Sequence, residues 1–267
     1  MPCSFRSTGA KVPTDRKRDR GWHEGKVGVC ARVSPESARL VPGEDAVVEY
    51  GPAEFCIGCK AQAAFWPRRY AHALATGRKD PSCQQLVLIG DGAHGIWEDG
   101  ATHLRSPGRE WTEMLDFYHA SQHLWDVAGA VWPRDSAAAF VWAEDARHRL
   151  RHAGGEVLPS RWDGLPPLPA ATQEIVDKET AYFRYHADRL DYPRYRARGL
   201  PIRSGRVKSA GKNVLKQRES GSGMRWREVG AQAIATLYAI HRSGRWDALW
   251  DRNPCAASVP LKRRIAA

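Results

Sequence analysis

Four sets of side chains in this sequence have types and spacings that could do chemistry. In "LVLIGDG", Leu86–Gly92, an apolar run ends on Asp91 between Gly90 and Gly92. A carboxylate at the end of a buried strand, with glycines opening the backbone, suits a divalent cation. Mg²⁺ takes oxygen donors at about 2.0–2.1 Å, commonly one or two carboxylates plus substrate phosphate. The same pattern also makes a turn aspartate that caps a loop, and at this point both readings stand. In "LDFYHASQHLW", Asp116, His119 and His123 follow at three- and four-residue spacings, which place them on one face of a helix. His119 and His123 have a zinc-compatible i, i+4 spacing, but neither an HExxH frame nor a remote third ligand accompanies them. Their expected roles are structural, with Asp116 and His119 pairing locally and His123 at the surface. Cys56 and Cys59, in "CIGC", have CxxC spacing. A four-thiolate zinc site needs a second pair that Cys83 alone does not supply, so these are expected to be buried small apolar residues. The fourth set is basic: Arg203, Arg206, Lys208, Lys212, Lys216 and Arg218, within "LPIRSGRVKSAGKNVLKQRESGSGMRW". Their spacings of two to four favour one side of a helix, a suitable face for phosphates.

Elements must hold these groups in place. Lys26–Val33 and Leu86–Gly92 are short apolar, β-branched runs expected to be strands. Ala53–Ala75 has helix-like spacing broken by Pro67. Trp111–Trp132 begins like a strand and becomes an amphipathic helix, with Leu124, Val127, Ala128 and Val131 on its apolar side. Residues 135–192 look mostly helical, divided by the Gly- and Pro-rich stretch His152–Ala170. The segment Thr172–Leu190 carries Ile175, Tyr182 and Leu190 among its apolar positions. A last long helix, Arg227–Gly244, is Ala-rich and stopped by Gly244. Strands first, then helices, fit an α/β core carrying a helical insertion.

Lys and Arg outnumber Asp and Glu 41 to 30, a formal net charge of +11. Residues 201–267 hold 14 of those cations against 4 acids, so nearly all the excess lies in the last quarter. A basic face so concentrated suits a polyanion, because each Lys or Arg that meets a phosphate releases a condensed counterion. No apolar run is long enough for a membrane span, and the N-terminus lacks the apolar stretch of a secretory signal. The expected address is cytoplasmic, associated with the nucleoid. Six scattered cysteines do not form a disulfide framework in a chain this size.

Several segments together resemble a known family: "GWHEGKVGV", "LIGDGAHGIW", "LDFYHASQHLWDVA", "YFRYHADRLDYPRYRARGLPI", "SGMRWREVGAQAI" and "SGRWDALW". In this order they resemble bacterial insertion-sequence transposases of the Kra group, DDE enzymes related to the Mutator type. The resemblance implies an RNase H-like mixed sheet flanked by helices, with a mostly helical insertion before the last core helix. Residues 1–134 would open that core, 135–198 form the insertion, 199–250 complete the core, and 251–267 make a tail. It also implies DNA transposition on double-stranded DNA with Mg²⁺ or Mn²⁺, and leaves homo-oligomerisation open. In such enzymes three carboxylates hold two metal ions about 4 Å apart, which activate water or a 3′-hydroxyl against a phosphodiester. Asp91 matches the second carboxylate and would be a metal ligand. Asp116 and His119 match the (Cys/Asp)-x-x-His motif between the second and third, which would brace the core or position DNA.

Two departures bear on activity. Where the family has its first Asp, this chain reads "SFRSTGAKVP" and has Thr8. Where the family has the Glu of "SGxVESA", it reads "SGRVKSA" and has Lys208. A hydroxyl is a poor bridging ligand, and an ammonium repels cations: one charge pair at ~4 Å is worth about 4 kcal/mol at an effective dielectric near 20. Glu219 lies eleven residues beyond Lys208, ~16 Å along a helix. Asp15 and Asp19 sit in a charged run that reads as a loop. Full members of the family also carry N-terminal sequence that this chain is expected to lack. The sequence therefore predicts a truncated, impaired transposase. The alternatives are a non-catalytic DNA- or RNA-binding protein using the basic C-terminal helix, and a metalloprotein built on Cys56, Cys59, His119 and His123.

Overall fold

The strand before Asp91 is deeply buried. In β4 (Gln85–Gly90), Leu86, Val87, Leu88 and Ile89 are all fully buried. Apolar side chains on both faces are what a strand covered from both sides requires. The structure, a computed structural model, describes residues 3–14, 21–33, 50–58, 82–93, 95–133, 136–158, 162, 164–203, 224 and 226–251. Its other strands are β1 (Cys3–Thr14), β2 (Gly21–Val33), β3 (Tyr50–Gly58) and β5 (Glu110–Leu115). The five form one sheet in the order β3-β2-β1-β4-β5. β1, β2 and β3 pair antiparallel, with a register shift between Ala31 and Val33, whereas β4 runs parallel to both β1 and β5. The molecule is thus a mixed α/β protein.

The α-helices among the described residues are α1 (Ile96–Leu104), α2 (Phe117–Val131), α3 (Ala137–Ala153), α4 (Ala170–Tyr185), α5 (Tyr192–Ala197), α6 (Glu228–Arg242) and α7 (Trp246–Asp251). α1 makes the crossover that two parallel strands need, from β4 to β5. Several helix starts are written in the sequence. Asp116, Ser136 and Asp191 each accept a hydrogen bond from a backbone N–H in the first turn of α2, α3 and α5, satisfying a donor the helix cannot. Pro193 sits in the first turn of α5, where its missing N–H costs nothing.

Two apolar clusters hold the layers together. The larger joins β4 and β5 to α1, α2, α3, α4 and α5, with Phe117, Leu124, Trp142, Phe183 and Tyr192 among its side chains. The smaller packs Val27, Val29, Phe55 and Ile57 of β2 and β3 against Ala231, Ala235 and Ala239 of α6. Those alanines recur every four residues, one stripe of a helix, and their small size brings α6 close to the sheet. Gln232 Nε2 donates to the Ile57 carbonyl at 3.2 Å, and the Phe55 N–H donates to Ser243 Oγ at 2.9 Å. Backbone groups of β3 thereby find partners on α6 and just beyond it, one way of guarding an edge strand.

One expectation needs correction. The helix-like spacing over Ala53–Ala75 does not make a helix at its start, because residues 53–58 belong to β3. There Phe55 and Ile57 alternate with Cys56, and period two against β2 prevails over the local helical signal. Residues 59–75 lie outside the described residues. In α4, Ile175 is exposed, and the buried stripe is Val176, Glu179 and Phe183. The strand-to-helix change expected in Trp111–Trp132 is found as β5 and α2, with Leu124, Val127 and Ala128 buried. Of the expected basic helix, Leu200–Arg203 has no regular structure and residues 204–223 lie outside the described residues, as do residues 252–267 of the tail.

Candidate functional site at the strand ends

β1, β4 and β5 point the same way, so their C-terminal ends open on one edge of the sheet. From β1 the chain turns back to β2 on one side, while from β4 it crosses to β5 on the other. The boundary between β1 and β4 is therefore a topological switch point, where open α/β sheets leave a crevice for ligands. Arg6 and Ile89 form the last parallel pair of β1 and β4. Two residues further on each strand stand Thr8, itself paired with Val27 of β2, and Asp91. The parallel register of β1 and β4 thus leads two of the three positions that the resemblance assigns to one pocket towards the same end of the sheet. The third, Lys208, lies outside the described residues, as do Arg206, Lys212, Lys216 and Arg218.

Asp91 is half-buried, and its Oδ1 accepts a hydrogen bond from the Ala93 N–H at 3.3 Å. It is therefore a turn aspartate, with its second carboxylate oxygen outside that bond. Its glycine neighbours are required by contact as well as by conformation. A Cβ on Gly90 would stand 2.9 Å from Ile96 Cγ2 and 3.0 Å from the Trp97 ring. Gly92 has φ +81°, and a Cβ there would run into the Tyr182 hydroxyl.

Asp116 ends β5. Its N–H donates to the Gly90 carbonyl at 2.8 Å, and its Oδ1 accepts from the His119 N–H at 3.0 Å as the cap of α2. It is 2% exposed, too enclosed to serve as a solvent-facing acid. The expected local pairing of Asp116 with His119 is present, made through the backbone of His119. His123 departs from its expected surface position. It is half-buried, its Nδ1 lies 2.6 Å from Glu179 Oε2, and its ring stacks on Tyr182 with centroids 3.8 Å apart. Its Nε2 faces His119 Nε2 at 3.3 Å.

Tyr182 links the two ends of this region. Its hydroxyl is buried, has no hydrogen-bond partner among the described residues, and abuts Gly92 and His186. Burial raises its pKa well above the usual tyrosine value, and the charges of Asp91, Glu179 and Asp116 raise it further. Three carboxylates from three elements therefore act on one phenol. Glu179 and His186 were not singled out in the sequence, and Tyr182 was named there only as an apolar position of its segment. Glu179 left one signal: a carboxylate three residues after Val176 and four before Phe183, within the buried stripe of an amphipathic helix.

The far side of β5 is fastened by the segment around α5. Arg189 pairs with Glu113 Oε2 through Nε at 2.8 Å and a terminal nitrogen at 2.7 Å, while its guanidinium lies 4.6 Å from the Trp97 ring centroid. Tyr192 and Tyr195 donate to the Leu115 and Glu113 carbonyls. The chain leaving α5 then returns to the site, where the Ile202 carbonyl accepts from the Phe117 N–H at 3.0 Å. Arg203 follows with its guanidinium 5.0 Å from the Tyr118 ring centroid, an arrangement suited to cation–π attraction. It is the one expected phosphate-contacting cation among the described residues.

Cys56 is buried, in keeping with a small apolar role, and Cys59 lies outside the described residues. None of the described helices is long and apolar enough to cross a membrane. Compared with known proteins, the chain matches no family model and no curated protein.

Proposed function

We propose that this chain is a transposase-type protein with an RNase H-like core that binds double-stranded DNA and has lost two-metal phosphodiester cleavage. The observation that carries this reading is the parallel register of β1 and β4, whose continuation leads Thr8 and Asp91 towards the same switch point. A β3-β2-β1-β4-β5 order, antiparallel through β3 and parallel at β4 and β5, supports an RNase H-like sheet. The return of the chain to Phe117 at Ile202, six residues before Lys208, supports an approach of that segment to the same edge.

The donors do not add up to a two-metal centre. Asp91 keeps one carboxylate oxygen outside its turn, Asp116 is buried as a helix cap, and the resemblance puts a threonine and a lysine where two further carboxylates are required. The remaining activity is binding. Arg203, Arg206, Lys208, Lys212, Lys216 and Arg218 supply phosphate contacts, and contacts of this kind position a duplex without reading its sequence. Affinity for a random-sequence duplex is therefore expected to fall steeply with salt. The logarithmic slope would approach about −5 if all six cations engage phosphates. A salt-independent affinity, or no binding at 50 mM salt, contradicts the proposal. The same preparation is expected to leave DNA uncut in Mg²⁺ or Mn²⁺. Cleavage that disappears in Asp91→Ala would overturn the loss of catalysis. A purely non-catalytic DNA- or RNA-binding protein is the second reading, favoured by the same concentration of positive charge.

A further inference from the structure

On α2, two metal-binding atoms of different side chains approach each other closely. His119 and His123 lie one turn apart, and their Nε2 atoms are 3.3 Å from each other. Two imidazole nitrogens bound at about 2.0–2.1 Å to one tetrahedral zinc stand about 3.3–3.4 Å apart. The pair is thus already spaced as one edge of a zinc tetrahedron. Two histidines at i, i+4 on a helix are also a known way to present such an edge.

The third group is Glu179 of α4, whose Oε2 is 2.6 Å from His123 Nδ1 and whose side chain is 8% exposed. A carboxylate at that distance needs a proton on Nδ1. In neutral His123 this leaves the lone pair on Nε2, facing His119. Stacking on Tyr182 fixes the plane of the His123 ring, and the His119 ring stands edge-on to it at 4.8 Å. Without a metal, His119 Nε2–H can donate to His123 Nε2. With one, His119 carries its proton on Nδ1, which leaves both Nε2 lone pairs available to the metal.

We propose that His119 and His123 chelate a zinc-class divalent transition metal through their Nε2 atoms, with Glu179 positioning His123 through Nδ1. The remaining coordination positions are taken by water or by a phosphate oxygen. Asp126 is the competing ligand, because a carboxylate oxygen of it, one of Glu179 and a ring nitrogen of His123 lie within 4.8 Å of one another. The site does not depend on the transposase reading, and its test does not involve DNA.

The full chain is titrated with Co²⁺ and Zn²⁺, in wild type and in Cys56→Ser/Cys59→Ser, to separate nitrogen ligation from thiolate ligation. The expected result is one equivalent bound in both, with a Co²⁺ spectrum free of thiolate charge-transfer absorption. His123→Ala and His119→Ala are expected to weaken binding at least a hundredfold, and Glu179→Gln about ten- to a hundredfold. Asp126→Asn is expected to change it less than twofold. Because the His→Ala variants may not fold, imidazole ¹⁵N shifts of the wild-type chain provide an independent readout. Zn²⁺ must move both Nε2 resonances while His123 Nδ1 stays protonated. No bound metal, unmoved Nε2 resonances, binding abolished in the Cys variant, or a tenfold loss in Asp126→Asn with His119→Ala unaffected would each overturn the assignment.

Discussion

Asp91 shows how little of a catalytic site one residue makes. Its place after a buried strand, between glycines, is the place a metal-binding carboxylate would take, yet the same geometry also supports an Asx-type turn onto Ala93. What would give Asp91 functional meaning is a second group at the same end of the sheet, and β1, the strand beside β4, carries Thr8 beyond the last paired residues. Gly92 offers a direct probe of the enclosure around it. Alanine there must adopt φ +81° and displace the Tyr182 hydroxyl. Gly92→Ala is expected to destabilise the protein by about 1–3 kcal/mol, measured from the urea midpoint. An unchanged midpoint would mean that Tyr182 does not press on the strand end.

Among the elements, β4, β5 and α2 were legible because their patterns are local: an unbroken apolar run, then a change from strand to helical period at Asp116. β3 was not, because "AEFCIGCKAQAAF" carries helical spacing, and pairing with β2 decides its conformation. The buried stripe of α4 was missed for a related reason. Its inward face is marked by Glu179, whose burial is matched to His123 fifty-six residues earlier, a pairing no sequence window contains. The course of Thr8 and Asp91 towards the same end of the sheet is equally non-local, and only the family resemblance suggested it. α6 gives the element-scale prediction. Its Ala231, Ala235 and Ala239 stripe lies directly on β2 and β3, so a larger residue has nowhere to go. Ala235→Leu is expected to cost about 1–3 kcal/mol through overpacking. A variant as stable as wild type would place α6 further from the sheet.

At the scale of the whole molecule, three tyrosines tie the helices to the sheet edge and set the response to alkali. Tyr195 is pushed up to about 12, first by burial and then by the charge of Asp191. Tyr182 and Tyr192 are raised for the same primary reason. In the unfolded chain all three ionise near 10. Above that pH the unfolded state releases protons that the folded state keeps. Stability is therefore complete below about pH 10 and falls as the pH climbs towards 12. Urea midpoints from pH 8 to 11 are expected to be level and then decline. A midpoint still level at pH 11 would mean that the tyrosines are not enclosed as described.

The central claim concerns one edge of the sheet, where a threonine, an aspartate and a lysine are proposed to occupy the places of three acids. Mn²⁺ binding, followed by the loss of the free-ion electron paramagnetic resonance signal, tests it most directly. Wild type is expected to leave the signal unchanged at millimolar Mn²⁺ once zinc has filled the histidine pair, whereas Thr8→Asp/Lys208→Glu gains binding that Asp91→Ala removes. If the double variant gains nothing, or if wild type already binds Mn²⁺ through Asp91, the three positions do not form the pocket described.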